Sequence, residues 1–183
     1  MLDRLSLDVE LRALRRENVF SPIDSFGFRS IALRHFLHPE KPSPLHASPS
    51  RLIGSRFVSP GRTHRALYVA LDAETAHREG NQPFYTVRAS GVPPAKLTPP
   101  DEVVVIGVHI RVGLMLDLRS AEVQGRLGTS AEELAGKWKL IPDAPTQVFG
   151  DQLYQAGGFE GLIDESVRNP GGICLLVFPE SVG

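Results

Sequence analysis

The sequence predicts a single mixed α+β domain, and three observations carry that expectation. Glycine and proline are abundant, at 17 and 15 of 183 residues. They cluster in stretches such as "HPEKPSPLHASPS" and "SGVPPAKLTPPDE", which break the chain into short elements and argue against a helical bundle. Apolar runs of strand length recur, the longest at Val103 to Val108 and Ile173 to Phe178, and capped stretches with helical spacing alternate with them. The length suits one domain, a 42% apolar share is enough for a core, and a 22% charged share is ordinary.

Taken in order, Leu5, Leu7, Val9, Leu11 and Leu14 among acidic and basic residues predict a helix over 3–17. Residues 28–37, "FRSIALRHFL", read as a strand, and the proline-rich stretch 39–49 as a loop. "ALYVAL", residues 66–71, is a short buried strand. Asp72 then caps a helix over "AETAHREGN" that ends at Gly80. "PFYTVRASG" and "EVVVIGVHI" are strands, and "VGLMLDLRS" is strand or loop leading to "SAEVQGRLG". In "TSAEELAGKWKLI", Thr129 or Ser130 caps a helix with Glu132 and Glu133 in its first turn. "TQVFGDQLYQAGGFEGLI" is a helix closed by Gly157–Gly158 and followed by a strand, and "GGICLLVF" is a last buried strand. The sum is about six strands with roughly three or four helices.

Composition excludes several functions. A net charge of -1 provides no field to recruit nucleic acid or anionic membrane. Neither apolar run approaches the roughly 20 residues that span a bilayer. The start, "MLDRLSLDVELRALRREN", has no apolar signal region. The single cysteine, Cys174, excludes an internal disulfide and a multi-cysteine metal site. The expectation is a soluble cytoplasmic protein. His35, His38, His46, His64, His77 and His109 are scattered without ligand spacing, so no metal is expected. Neither a P-loop nor a dinucleotide fingerprint is present. Any nucleotide must therefore be held by side chains and other loops.

A few residues stand out. Glu79 lies near a helix C-terminus, against the macrodipole, which marks either a solvated face or a site. Tyr68 sits in an apolar strand, as a core tyrosine or as a platform for a flat ring. Arg56 follows a glycine turn, where its guanidinium fork suits a diphosphate. Arg34, in "IALRHF", either faces solvent on an edge strand or points inward and needs a partner. Ser166, in "GLIDESVRNPGG", lies outside any G-x-S-x-G elbow, which argues against a hydrolase nucleophile.

The order of "ALRHF", "GSRFVSPG", "RALYVALDAETAHRE" and "GFEGLIDESVRNPGGICLLVF" resembles the RES domain family over about residues 28–178. The blocks Arg56 to Glu79 and Gly158 to Phe178 are the specific parts, and the helix 3–17 lies outside. The resemblance implies an ADP-ribosyltransferase-like fold with a twisted, split β-sheet core and flanking helices. It also implies a toxin of a toxin–antitoxin pair that acts on NAD+ as substrate, partnered by an Xre-type antitoxin that plugs the site. By position, Arg34 matches the family's first arginine, with Leu33 in place of an aromatic residue, and Arg29 in "GFRS" is the competing candidate. Arg56, Tyr68, Glu79 and Ser166 match the turn arginine, strand tyrosine, helix glutamate and pre-strand serine, and Asn169 lies in the adjoining turn. The turn reads "GSRFVSPG", without the asparagine of "GGRWNSPG".

The resemblance further implies that NAD+ is cleaved at the nicotinamide–ribose bond, with water or phosphate as acceptor. An alternative is a protein ADP-ribosyltransferase, whose protein acceptor would be selected by the loop 39–49. A second alternative is a non-catalytic binding module. The N-terminal helix either packs on the domain or builds a homo-oligomer interface.

Overall fold

The computed structural model describes residues 1–37, 45, 47, 54–81, 102–136, 138 and 141–183. Apart from Leu45 and Ala47, the proline-rich loop lies outside the described residues, as does the strand expected over "PFYTVRASG". The described elements are, in chain order, α1 (Arg4–Arg16), β1 (Ile23–Ala32), α2 (Leu33–Phe36), β2 (Leu67–Ala70), α3 (Ala73–Gly80), β3 (Val103–Val112), β4 (Met115–Asp117), α4 (Ala121–Arg126), α5 (Ala131–Leu134), α6 (Pro145–Ala156), β5 (Gly161–Glu165) and β6 (Ile173–Val177). The architecture is the expected mixed α+β type.

The strands form a six-stranded sheet in the order β3-β1-β2-β6-β5-β4. Neighbours are antiparallel except β4 and β5, which are parallel. β1 and β3 pair along their whole length, from Ile23↔Val112 to Ala32↔Val103. β1 meets β2 at Phe28↔Ala70 alone. That thin seam divides β3-β1 from the other four strands, which is the physical content of the expected split.

The strand expected over 28–37 needs correction. β1 begins five residues earlier, at Ile23, and stops at Ala32. Asp24, Ser25 and Gly27 have poor strand propensity, but the ladder to β3 holds them extended, as pairing overrides propensity. After Ala32 the chain turns into α2, whose entry is fixed by Leu33 N–H donating to Glu102 O at 2.6 Å. Arg34 is therefore helical and exposed. The helix start expected in "TSAEELAGKWKLI" is present, and the helix is short. Ser130 caps α5, its hydroxyl accepting from Glu133 N at 3.2 Å, and α5 ends at Leu134.

Successive residues of the central strands reach opposite layers, as a strand's two-residue period requires. Leu162 and Leu176 enter one core with Leu7, Leu11 and Leu14 of α1 and Phe149 and Leu153 of α6. Ile163 and Leu175 enter another with Val69, Ile110, Val112, Met115 and Val177. Asp3 caps α1, its Oδ1 accepting from Leu5 N and Ser6 N. Leu7, Leu11 and Leu14 have no exposed surface, so α1 packs on the domain. No helix among the described residues is long and apolar enough to cross a membrane.

Candidate active site

A cavity of about 340 Å³ opens where β1 and β2 diverge, within the range of small-molecule sites. β1, β2, α3, β5, β6 and the turn around Arg56 all contribute to its wall.

The turn comes first. Ser55 and Val58 form an isolated bridge, and Gln147 Nε2 on α6 donates to Ser55 O at 2.9 Å. Gly54, with φ 77°, supplies the left-handed conformation the turn needs. A second tie runs through buried Asp151 of α6, which receives Arg62 Nε at 2.7 Å and Ser59 N at 3.3 Å. His64 stacks on Tyr154 beside it, ring centroids 4.3 Å apart, and burial lowers the His64 pKa. Arg56 is thereby presented to the cavity, with its Nη1 donating to Leu134 O at 2.5 Å.

Tyr68 projects from β2 into the same space. Its hydroxyl lies 2.7 Å from Ser55 Oγ and accepts from Phe57 N at 3.3 Å. Burial pushes the phenol up to about 12. The hydroxyl is thus committed to the turn and stays protonated, which leaves the ring as an aromatic wall.

Glu79 stands on the last turn of α3. Asp72 starts this helix, its Oδ1 accepting from Thr75 N at 2.7 Å and its Oδ2 from Thr75 Oγ1 at 2.6 Å. Those bonds hold the Asp72 carboxyl below its usual range. The far end of α3 lies against β1 because Gly80 has no side chain. A Cβ there would sit 2.2 Å from Ser30 Oγ and 2.5 Å from Ser30 Cβ.

Ser166 anchors Glu79 from behind. Its hydroxyl donates to Glu79 Oε1 at 2.6 Å and accepts from the backbone N–H groups of Arg168 at 3.1 Å and Asn169 at 3.0 Å. Ser166 is only 4% exposed, and its proton is committed to the carboxylate. Asn169 serves the same loop, its Nδ2 donating to Thr75 Oγ1 at 2.7 Å. Gly172 allows this close docking, since a Cβ there would lie 2.2 Å from Thr75 Oγ1.

The structure thus brings Glu79, Tyr68 and Arg56 to one cavity and sets Ser166 and Asn169 behind it, bracing α3. Arg34 is elsewhere, at a separate hollow with Leu33, Leu37 and Glu102. Arg29 occupies the cavity in its place. The reason is the early end of β1, which carries Arg34 out onto α2. Continuing the Phe28↔Ala70 register would set Ser30 opposite Tyr68. Instead Arg29 Nη1 donates to Tyr68 O at 3.2 Å, inside the seam.

Sequence reasoning missed Asp164, a cavity residue of β5 that is 8% exposed. Its signal was a charge at an inward position of the apolar strand "GLIDE". Among the described residues, no group of three or more His, Cys, Asp or Glu is arranged to hold a metal ion.

Comparison with known proteins gives three findings. No curated protein matches the sequence. A chain of the M. tuberculosis MbcT–MbcA toxin–antitoxin complex, solved by crystallography, superposes with a TM-score of 0.65 at 15% identity, covering 97% of this chain and 87% of that one. At that identity the likeness speaks for the fold. The RES domain matches residues 30–182, a span that holds the whole cavity wall except Phe28 and Arg29, and the chain belongs to the RES domain family.

Proposed function

We propose that this protein is a toxin that cleaves the nicotinamide–ribose bond of NAD+, depleting NAD by hydrolysis or phosphorolysis. The observation that carries the reading is the Glu79 carboxylate, held by Ser166 at the wall of a cavity that also presents Arg29, Arg56 and the Tyr68 ring.

The chemistry rests on those groups. Glycosidic cleavage passes through an oxocarbenium-like state. A fixed carboxylate at the sugar stabilises that developing charge without reorganising. Nicotinamide leaves as a neutral ring and needs no strong acid, and the Tyr68 face can stack on it. Arg56 and Arg29 match the two charges of the NAD diphosphate. Ser166 acts by holding Glu79 in place, a positioning role. The committed Ser166 proton argues against a nucleophilic serine.

Transfer of ADP-ribose to a protein is the second reading, since it shares the first chemical step. A non-catalytic binding module is disfavoured by the Ser166–Glu79 hydrogen bond, an arrangement with little use in simple binding. The partner proposed is an antitoxin of Xre type, in keeping with the toxin–antitoxin complex that shares the fold. The test is incubation of purified protein with NAD+ and separation of products by mass. Free nicotinamide supports the reading, and loss of about 100-fold or more in Glu79→Gln assigns the carboxylate. No nicotinamide from a folded, antitoxin-free sample, with or without cell lysate, would leave the binding module standing.

A further inference from the structure

The cleavage chemistry of Glu79, Tyr68 and the two arginines makes no use of Asp164. This residue alternates with Leu162 along β5, and both line the cavity. Asp164 is 8% exposed, and burial pushes its carboxyl up to about 6. The nearby backbone of Glu165 favours the carboxylate, but among the described residues no side chain donates to it. A buried charge so poorly compensated is costly to the fold. Such placements concentrate where function requires them.

The groups around it come from every neighbouring element. Arg56 on the turn draws its pKa down, while Glu165 on its own strand and Glu79 on α3 push it up. The charge of Asp164 reaches Tyr68 on β2. Cys174 on β6 is its ladder partner, and burial holds that thiol neutral, pushed up to about 12. Arg29 of β1 completes the charged lining, which among the described residues comprises Arg29, Arg56, Glu79, Asp164 and Glu165. With both arginines occupied by a diphosphate, the charge left on the wall is negative. A phosphate dianion approaching that wall meets like charge. A water molecule does not, and it brings a proton that a carboxylate can accept.

We propose that Asp164 is the general base that makes water the acceptor and keeps inorganic phosphate out, an inference that rests on the NAD-cleaving reading. In the balanced step, the bond from the ribose anomeric carbon to the nicotinamide nitrogen breaks, and its electron pair stays on nicotinamide, which leaves neutral. A lone pair of the water oxygen forms the new carbon–oxygen bond. The water proton passes to Asp164 and then to solvent. NAD+ and water thus give ADP-ribose, nicotinamide and a proton.

The experiment compares wild-type protein and Asp164→Asn with NAD+ from about pH 5 to about pH 8, with and without inorganic phosphate, products separated by mass. The expected wild-type product is ADP-ribose even in phosphate, formed at a rate that rises through an inflection near about 6. Asp164→Asn forms ADP-ribose about 100-fold more slowly, without the inflection, and yields ADP-ribose-1″-phosphate when phosphate is present. Three outcomes overturn the proposal alone: ADP-ribose-1″-phosphate from the wild type, nicotinamide release that needs cell lysate, or an Asn variant with the wild-type rate and pH profile. No nicotinamide under any condition overturns the NAD reading as well. Should Asp164→Asn fail to fold, the wild-type product and pH profile decide.

Discussion

The Ser166 hydroxyl donates to Glu79 Oε1 at 2.6 Å, across 87 residues of sequence. One oxygen atom thereby joins the loop before β6 to the last turn of α3, because it also accepts from the backbone N–H groups of Arg168 and Asn169. Glu79 is fixed from the side that faces away from the cavity.

Ser166→Ala should lower the turnover number for NAD+ about 10- to 100-fold while leaving KM near the wild-type value, since Ser166 is behind the wall. The variant leaves two backbone N–H groups without their acceptor. It should therefore lose about 1–3 kcal/mol of stability. Steady-state kinetics and a thermal melt measure both, and a raised KM with unchanged turnover would contradict the positioning role.

Arg29 and Arg34 are separated by a single experiment. Arg29→Ala should weaken NAD+ binding about 10-fold or more, the ordinary range for a charge-assisted hydrogen bond. Arg34→Ala should leave it unchanged, because Arg34 is exposed on α2 at another hollow. Titration calorimetry with NAD+ is the measurement, and the reverse pattern would return the role to Arg34.

Gly80→Ala forces a Cβ to within 2.2 Å of Ser30 Oγ. The end of α3 must move off β1, at an expected cost of about 1–3 kcal/mol, and Glu79 moves with it. Ser30→Gly in the same chain should recover part of both stability and turnover, so the two changes should be non-additive. Simple additivity in melts of the four proteins would place the strain elsewhere.

Burial raises Asp164 from 3.8 to about 6, so the folded chain binds this proton more tightly than the unfolded chain does. The stabilisation from the protonated form is complete below the unfolded value and is lost as pH rises through the folded one. Above that window the wild type bears an ionised buried carboxylate, at a cost of roughly 2–3 kcal/mol. Asp164→Asn should accordingly melt higher than wild type at neutral pH, with the gap closing toward about pH 4. A gap that stays constant with pH would contradict the shift. The same substitution that slows catalysis would strengthen the fold, a common exchange at functional sites.

Elements with local signals were legible in the sequence. Asp72 marks the start of α3, Gly157 closes α6, and the apolar run after Gly172 becomes β6. β1 was only half legible, because the extended state of Asp24 to Gly27 depends on β3, some 80 residues away. The same displacement decides which arginine reaches the cavity. Glu79, Tyr68 and Arg56 were legible as a group because one short stretch of sequence holds all of them. The bracing by Ser166 and Asn169 was not, since it depends on contacts 87 and 94 residues apart. Asp164 carried a readable sign, a carboxylate alternating with Leu162 in a buried strand.

The seam at Phe28↔Ala70 has a dynamic consequence. A sheet joined so narrowly should open as two cooperative units, with β3 and β1 forming one and β2, β6, β5 and β4 the other. Native-state hydrogen exchange should then show the amides of Ile23 to Ala32 sharing an opening free energy with β3 and differing from β6. α3 touches both units, through Gly80 at Ser30 and through Thr75 at Asn169. The carboxylate it carries is therefore a reporter of their separation: whatever wedges the seam apart, a ligand or a partner's side chain, also displaces Glu79.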